Sequence, residues 1–195
     1  MLNISNIVEV IDKSKVRFDE PMSNHTKIKI GGKADVLVIP TNTEDIINVL
    51  KFAKENNMPV TVIGNGSKLL VRDKGIRGIV IKISSKFSEY KIDGECITAC
   101  AGMSMPRLSR IAMKEGLSGL EFACGIPGVL GGGILMNAGA YGGDISQVLV
   151  RTKYIDEDLN VKTLEHDEHE FSYRHSYFKD HPKLVIVSAE FKLKR

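Results

Sequence analysis

Two glycine-rich runs, one arginine among aromatics and a late group of histidines are the residues of this chain whose types and spacing could do chemistry. The longer run, GIPGVLGGGILMNAGAYGG at residues 125–143, keeps one Asn, one Tyr and no charge. Glycine carries an entropic penalty and packs nothing, so such density marks backbone that turns sharply or lies close to something else. Pro127 suits the first turn of a short helix, and Gly128, Gly131, Gly132 and Gly133 leave its N-terminal end uncovered. Exposed N–H groups and the helix dipole favour an anion there by about 0.3–1 kcal/mol. Close packing of helix on sheet is the alternative use of the same glycines.

The shorter run, VIGNGSKLL at residues 62–70, follows an apolar strand pattern and carries Gly64, Gly66 and Ser67. Successive small residues let main-chain N–H groups point into one concavity that accepts phosphate, and the Ser67 hydroxyl adds a donor. It lacks the third glycine of the dinucleotide fingerprint, and neither run ends in the Gly-Lys-Ser/Thr of a triphosphate loop. Two such loops together suit one diphosphate held by two regions. In FSYRHSYFK, residues 171–179, Arg174 stands among Phe171, Tyr173, Tyr177 and Phe178, a setting for binding a carboxylate or stabilising an enolate, or for a plain surface arginine beside core aromatics. His166, His169, His175 and His181 match no zinc spacing, so no metal is expected and HDEHE reads as a solvated acidic surface. Cys96 and Cys100 share one face of a strand and read as core residues, while Cys124 adjoins the glycine loop.

The elements that must hold these loops follow from periodicity. TNTEDIINVLKFAKENNMP predicts a helix with a Thr41/Glu44 capping box, an apolar face of Ile46, Ile47, Leu50 and Ala53, and a stop at Pro59. Strands ADVLVIP and VTVIG flank it, so residues 30–64 read as a βαβ unit with parallel strands. A second region starts near residue 84 with a hairpin around Asp93-Gly94, then a helix from Ser104 to a stop at Gly116. Further strands are expected near 147–156, 160–164 and 184–193. The expected class is α+β: a small βαβ-containing part over 1–83 and a larger mixed-sheet part, antiparallel in tendency, over 84–195.

The 195 residues carry 27 basic and 24 acidic side chains, a net charge of +3 that is too balanced and dispersed for a nucleic-acid partner. Three cysteines form no paired framework, the N-terminus lacks a signal-peptide pattern, and no uncharged run suits a membrane helix. A cytoplasmic location and no membrane partner are expected.

Four ordered motifs, PMSNHTKIKIGGKAD, VIGNGSKLLVRDKGIRGIVI, GLEFACGIPGVLGGGILMNAGAYGG and YRHSYFK, resemble the bacterial UDP-N-acetylenolpyruvoylglucosamine reductases, flavoenzymes of peptidoglycan precursor synthesis. The resemblance implies an FAD-binding module of the vanillyl-alcohol-oxidase type, two subdomains with the flavin between them. It implies that Ile63, Gly64, Asn65, Gly66, Ser67, Lys68 and Leu69 hold the FAD pyrophosphate from one side. Gly125, Ile126, Pro127, Gly128, Gly132, Gly133, Asn137, Gly139, Ala140 and Tyr141 then lie along the diphosphate and flavin from the other. It further implies NADPH as the reductant, a UDP-sugar enolpyruvyl ether as substrate, and Arg174 as the catalytic group that stabilises the enolate. Through that pathway it links the chain to cell wall formation, cell shape, the cell cycle and division. The family usually has Asn where Lys68 stands and often Ser where Val129 stands. Members continue into a substrate-binding domain carrying the Ser proton donor and a partner Glu. No residue here takes those two roles, so the chain alone is expected to be inactive, as the flavin-holding portion or as a short non-catalytic flavin module.

Overall fold

A computed structural model describes residues 4–195, which divide into two compact units, one ending at Lys86 and the other spanning Phe87–Arg195. The first contains β1 (Val16–Pro21), β2 (Lys33–Val38), α1 (Thr43–Glu55), β3 (Val60–Ile63) and β4 (Ile76–Lys82). Its sheet runs β1-β2-β4-β3, with β1 antiparallel to β2, and β2 and β3 each parallel to β4. The helical crossover therefore joins strands that flank a third one rather than each other. The run Ile79, Val80 and Ile81 explains why β4 takes the middle: all three are fully buried, as a strand covered on both faces requires.

The cap of α1 lies one residue beyond its expected place. Asn42 is the N-cap, its Oδ1 accepting the Asp45 N–H at 2.7 Å. Thr41 instead donates its N–H and hydroxyl to the Asp45 carboxylate, which also receives the Lys15 ammonium at 2.7 and 2.9 Å. Burial works to raise the Asp45 pKa, but the hydrogen bonds from Lys15 and Thr41 outweigh it and hold the carboxyl below its ordinary range. The inward stripe is Ile46, Val49, Phe52 and Ala53; Ile47 and Leu50, expected on it, are half-buried at its margin.

The second unit contains β5 (Tyr90–Asp93), β6 (Cys96–Cys100), α2 (Met105–Lys114), α3 (Leu130–Leu135), β7 (Gly139–Ala140), β8 (Gly143–Asp144), β9 (Leu149–Ile155), β10 (Val161–Glu165), α4 (Tyr177–Asp180) and β11 (Val185–Lys192). Its five-stranded sheet runs β10-β9-β11-β6-β5 and is antiparallel at every pairing, so parallel pairing is confined to the first unit. Asp93 pairs with Cys96 across a two-residue turn in which Gly94 has φ 59°. Leu108, Ile111 and Ala112 of α2 face inward, and Gly116, with φ 66°, follows the helix end. Ile97, Leu130, Ile134, Ile155, Phe178 and Phe191 lie in the buried interior of this unit. Among the described residues no helix is long and apolar enough to cross a membrane.

Candidate cofactor loops and the arginine turn

In the first unit β3 ends at Ile63, whose side chain joins a core cluster with Met22, Leu37 and Val80; Leu69 packs against the same cluster. The side chains of Ile63 and Leu69 therefore anchor the loop, and the groups between them are what it presents. Gly64 and Asn65 form a bend, Ser67 and Lys68 a turn, and the Asn65 and Lys68 side chains are exposed. Gly66 takes φ 62° with its Cα against the His25 carbonyl, where a Cβ would come within 2.0 Å of that oxygen. Its own carbonyl accepts the Lys27 N–H at 3.1 Å. Among the described residues the N–H groups of Asn65, Gly66, Ser67 and Lys68 have no backbone acceptor, and four adjacent free amides make an anion concavity. Turn and extended chain, not a strand, follow directly; β4 begins only at Ile76.

The second loop departs from the helix-end expectation. Pro127 precedes the N-cap, Val129, rather than occupying the first turn, and α3 is six residues long. Leu130 N–H donates to the Met103 carbonyl at 2.8 Å and Gly131 N–H to the Ala101 carbonyl at 2.9 Å. Those amides serve the fold, which leaves the N–H groups of Gly128 and Gly132 without a backbone acceptor among the described residues. The Val129 side chain is 3% exposed, so no polar group at that position would face solvent or ligand without repacking.

The glycines of this loop separate by what a methyl group would meet. At Gly133 a Cβ would lie 2.9 Å from the Met105 sulfur, and at Gly139 it would lie 2.6 Å from the Gly143 carbonyl oxygen, so the fold itself requires both. At Gly125, Gly128 and Gly132 it would meet nothing within 4 Å and none of the three has positive φ. Packing gives no reason for glycine there, whereas a ligand lying against the main chain does. The residues of both loops thus fit a diphosphate-containing cofactor: free amides, absent side chains and no competing carboxylate.

Beyond α3 the chain forms the β7–β8 hairpin. Its two-residue loop, Tyr141-Gly142, has φ 55° and 83°, the signature of a type I′ turn, where Asn-Gly is the favoured pair. Tyr141 is 95% exposed, so its ring offsets none of the strain of that backbone. Asn137, at φ 38°, is buried, with Nδ2 donating to the Ser172 carbonyl at 3.2 Å and Oδ1 accepting the Ser146 N–H at 3.1 Å. Its side chain is occupied within the unit and is not free for a cofactor. Ile126 and Ala140 are half-buried.

Arg174 sits in a tight turn closed by Ser172 and His175, which exchange both main-chain hydrogen bonds. Its φ is 56° and its Nη2 donates to the Gly139 carbonyl at 3.0 Å. Only Tyr173, 90% exposed, lies under the guanidinium, 5.6 Å from ring centroid to Cζ. The other three aromatics serve the interior or the surface instead. Phe178 packs edge-on to Tyr154, Phe171 stacks on His169, and Tyr177 stacks on His181. Among the described residues Nε and Nη1 of Arg174 have no partner, which leaves part of the fork to receive an anion.

The HDEHE segment is not uniformly a solvated surface. His169 is fully buried, its ring between the Glu165 carbonyl and the Thr152 hydroxyl, each at 2.8 Å, and burial outweighs those contacts to lower its pKa. His166 bonds to Asp167 and the Ser146 carbonyl, and His175 to Asp180. Among the described residues no three His, Cys, Asp or Glu side chains are grouped to hold a metal ion. Cys96 and Cys100 are half-buried and Cys124 is exposed, all three as free thiols. Sequence reasoning missed Ser176, a fully buried hydroxyl that donates to the Leu135 carbonyl at 3.0 Å; its place two residues after Arg174 was the available signal.

Residues 34–164 match the model of a family described as FAD binding domain. Over 191 residues the chain is 45% identical to the UDP-N-acetylenolpyruvoylglucosamine reductase of Lactococcus lactis subsp. cremoris, a match that covers 98% of this chain and 62% of that protein. The Streptococcus mutans protein of the same name is 43% identical over 194 residues, with the same 62% covered. A crystal structure of the UDP-N-acetylenolpyruvylglucosamine reductase from Thermus caldophilus superposes with a TM-score of 0.78 at 30% identity, over 92% of this chain and 63% of that one. Phl p 4, a glucose dehydrogenase, shares the fold at a TM-score of 0.73 and 13% identity, over 98% of this chain and 43% of that one. The chain thus spans somewhat over three fifths of the length of its curated relatives.

Proposed function

This chain belongs to the FAD binding domain family and is a relative of the UDP-N-acetylenolpyruvoylglucosamine reductases; from that premise we propose that it holds FAD for NADPH-dependent reduction of the enolpyruvyl group of a UDP-sugar. The observation that carries the flavin part is the set of glycines at 125, 128 and 132, for which packing gives no use. In this reading the free amides of Asn65 to Lys68 and of Gly128 and Gly132 bind the pyrophosphate, with Ser67 and Lys68 adding a hydroxyl and a cation. Bound FAD supplies the hydride transfer from NADPH to the enolpyruvyl carbon.

The protein's own part is placement and charge. Arg174, fixed at one corner of its fork by the Gly139 carbonyl, presents its remaining N–H groups to the negative charge that develops on the enolpyruvyl carboxylate side. The exposed Tyr141 and Tyr173 rings offer flat apolar surface to a planar ligand. Proton delivery to the adjacent carbon has no donor assigned in this chain. The free thiols agree with a reduced, cytoplasmic setting, and the product places the reaction in cell wall precursor synthesis.

The test is anaerobic. FAD-loaded chain is mixed with NADPH and the visible flavin band is followed, then the enolpyruvyl UDP-sugar is added. Bleaching by NADPH supports the reductant, and recovery of the band on adding substrate supports the whole reaction. A band that NADPH leaves unchanged removes NADPH from the proposal, and bleaching without recovery confines this chain to flavin holding.

A further inference from the structure

The 172–176 segment is tied to the second glycine loop at three points, and the ties form a closed circuit around Arg174. Asn137 Nδ2 donates to the Ser172 carbonyl at 3.2 Å, Arg174 Nη2 to the Gly139 carbonyl at 3.0 Å, and Ser176 Oγ to the Leu135 carbonyl at 3.0 Å. The turn they hold is a costly one. Arg174 adopts φ 56° and Asn137 φ 38°, backbone that an arginine does not select for itself and that persists only where its surroundings over-determine it. Asn137 and Ser176 are both buried, at 5% and 0% exposure, and every polar atom reported for the Asn137 side chain is used within this circuit or on Ser146.

We infer that Asn137 and Ser176 are positioning residues for Arg174: they clamp the two ends of the 172–175 turn so that the guanidinium is presented in one orientation. This rests on the reading of Arg174 as the anion-stabilising group. It also reassigns Asn137, whose amide is consumed in orienting the turn and does not contact FAD. The geometry accounts for the division of labour. Asn137 fixes the entry of the turn through a carbonyl that faces it, Ser176 fixes the exit, and the Gly139 carbonyl takes up one guanidinium N–H and leaves the others free.

The side-chain N–H signals of arginine in nitrogen-15 spectra of the full chain report this directly. The signal that Arg174→Lys removes is that of Arg174, and a clamped guanidinium gives resolved Nη lines because rotation about its Cζ bonds is slow. Asn137→Asp is nearly isosteric, keeps the acceptor for Ser146 and loses the donor to Ser172; Ser176→Ala removes one hydroxyl. Losing one hydrogen bond lowers the clamped population roughly five-fold, so in each variant the Arg174 lines coalesce while far-ultraviolet circular dichroism stays that of the parent. An Arg174 signal unchanged in a folded variant overturns the role of that residue, and one already averaged in the parent overturns the clamp. If Asn137→Asp does not fold, Ser176→Ala decides alone. FAD retention is read on the same samples: a parent that keeps its clamped signal but binds no FAD refutes the flavin reading and leaves the clamp standing.

Discussion

Replacing Gly132 by alanine should make the protein more stable and a poorer flavin binder, an opposite pair of effects that follows from one geometric fact. Gly132 is inside α3, its φ is not positive, and a Cβ there meets nothing within 4 Å. Alanine is better than glycine in a helix interior by about 0.5–1 kcal/mol, which for a chain of this size raises Tm by about 1–4 °C. The same methyl group stands in the space assigned to the cofactor, where overpacking of about 1–3 kcal/mol weakens FAD roughly 5- to 150-fold. Gly128→Ala, outside the helix, should lose FAD in the same way with little change in Tm. Gly139→Ala is the opposite control: its Cβ would lie 2.6 Å from the Gly143 carbonyl oxygen, so it lowers Tm by displacing the β7–β8 hairpin. Thermal unfolding without flavin and a titration of flavin fluorescence give the two readouts separately. Gly132→Ala protein that is more stable and binds FAD like the parent would refute the reasoning, because the open space would then belong to no cofactor.

Three other substitutions probe the scaffold and the site. Tyr141→Asn puts Asn-Gly into a type I′ turn; relief of left-handed strain of about 1–2 kcal/mol raises Tm by about 2–8 °C, while loss of the exposed ring weakens FAD, both measurable in the same assays. His169 is buried with its pKa held below 6.5 chiefly by burial, so the unfolded chain takes up a proton first and stability falls as pH drops below about 6.5. Denaturant midpoints should therefore decline between neutral pH and pH about 5, and His169→Gln should flatten that slope; an equal slope removes His169 as its source. Asn42→Ala deletes the N-cap of α1 and should cost about 1 kcal/mol, read as a lower denaturant midpoint at unchanged m-value.

What the sequence made legible was periodic or motif-like. The alternation around Asp93-Gly94 became β5 and β6, and the stripe of Leu108, Ile111 and Ala112 became the buried face of α2. The βαβ reading of residues 30–64 led to parallel strands, but not to β4 between them, since insertion of a later strand is a long-range event with no local mark. The cap of α1 moved from Thr41 to Asn42 because Thr41 was drawn into the Asp45–Lys15 cluster, whose partner lies 30 residues away. At the site, glycine density announced close approach but could not say which glycines serve the fold. Gly133 and Gly139 answer to Met105 and Gly143, while Gly125, Gly128 and Gly132 answer to nothing in the chain. Aromatics around Arg174 suggested a cage, and three of the four went elsewhere, because neighbours in sequence point to different sides of a turn. Asn137 was legible as a site residue, but its work as a hydrogen-bond bridge to Ser172 needed the fold.

The central claim is that this chain holds FAD. Purified chain is mixed with excess FAD, passed through a desalting column, and the visible absorption spectrum of the protein fraction is recorded. The account predicts a retained flavin band displaced from that of free FAD. A folded, colourless protein fraction would contradict it.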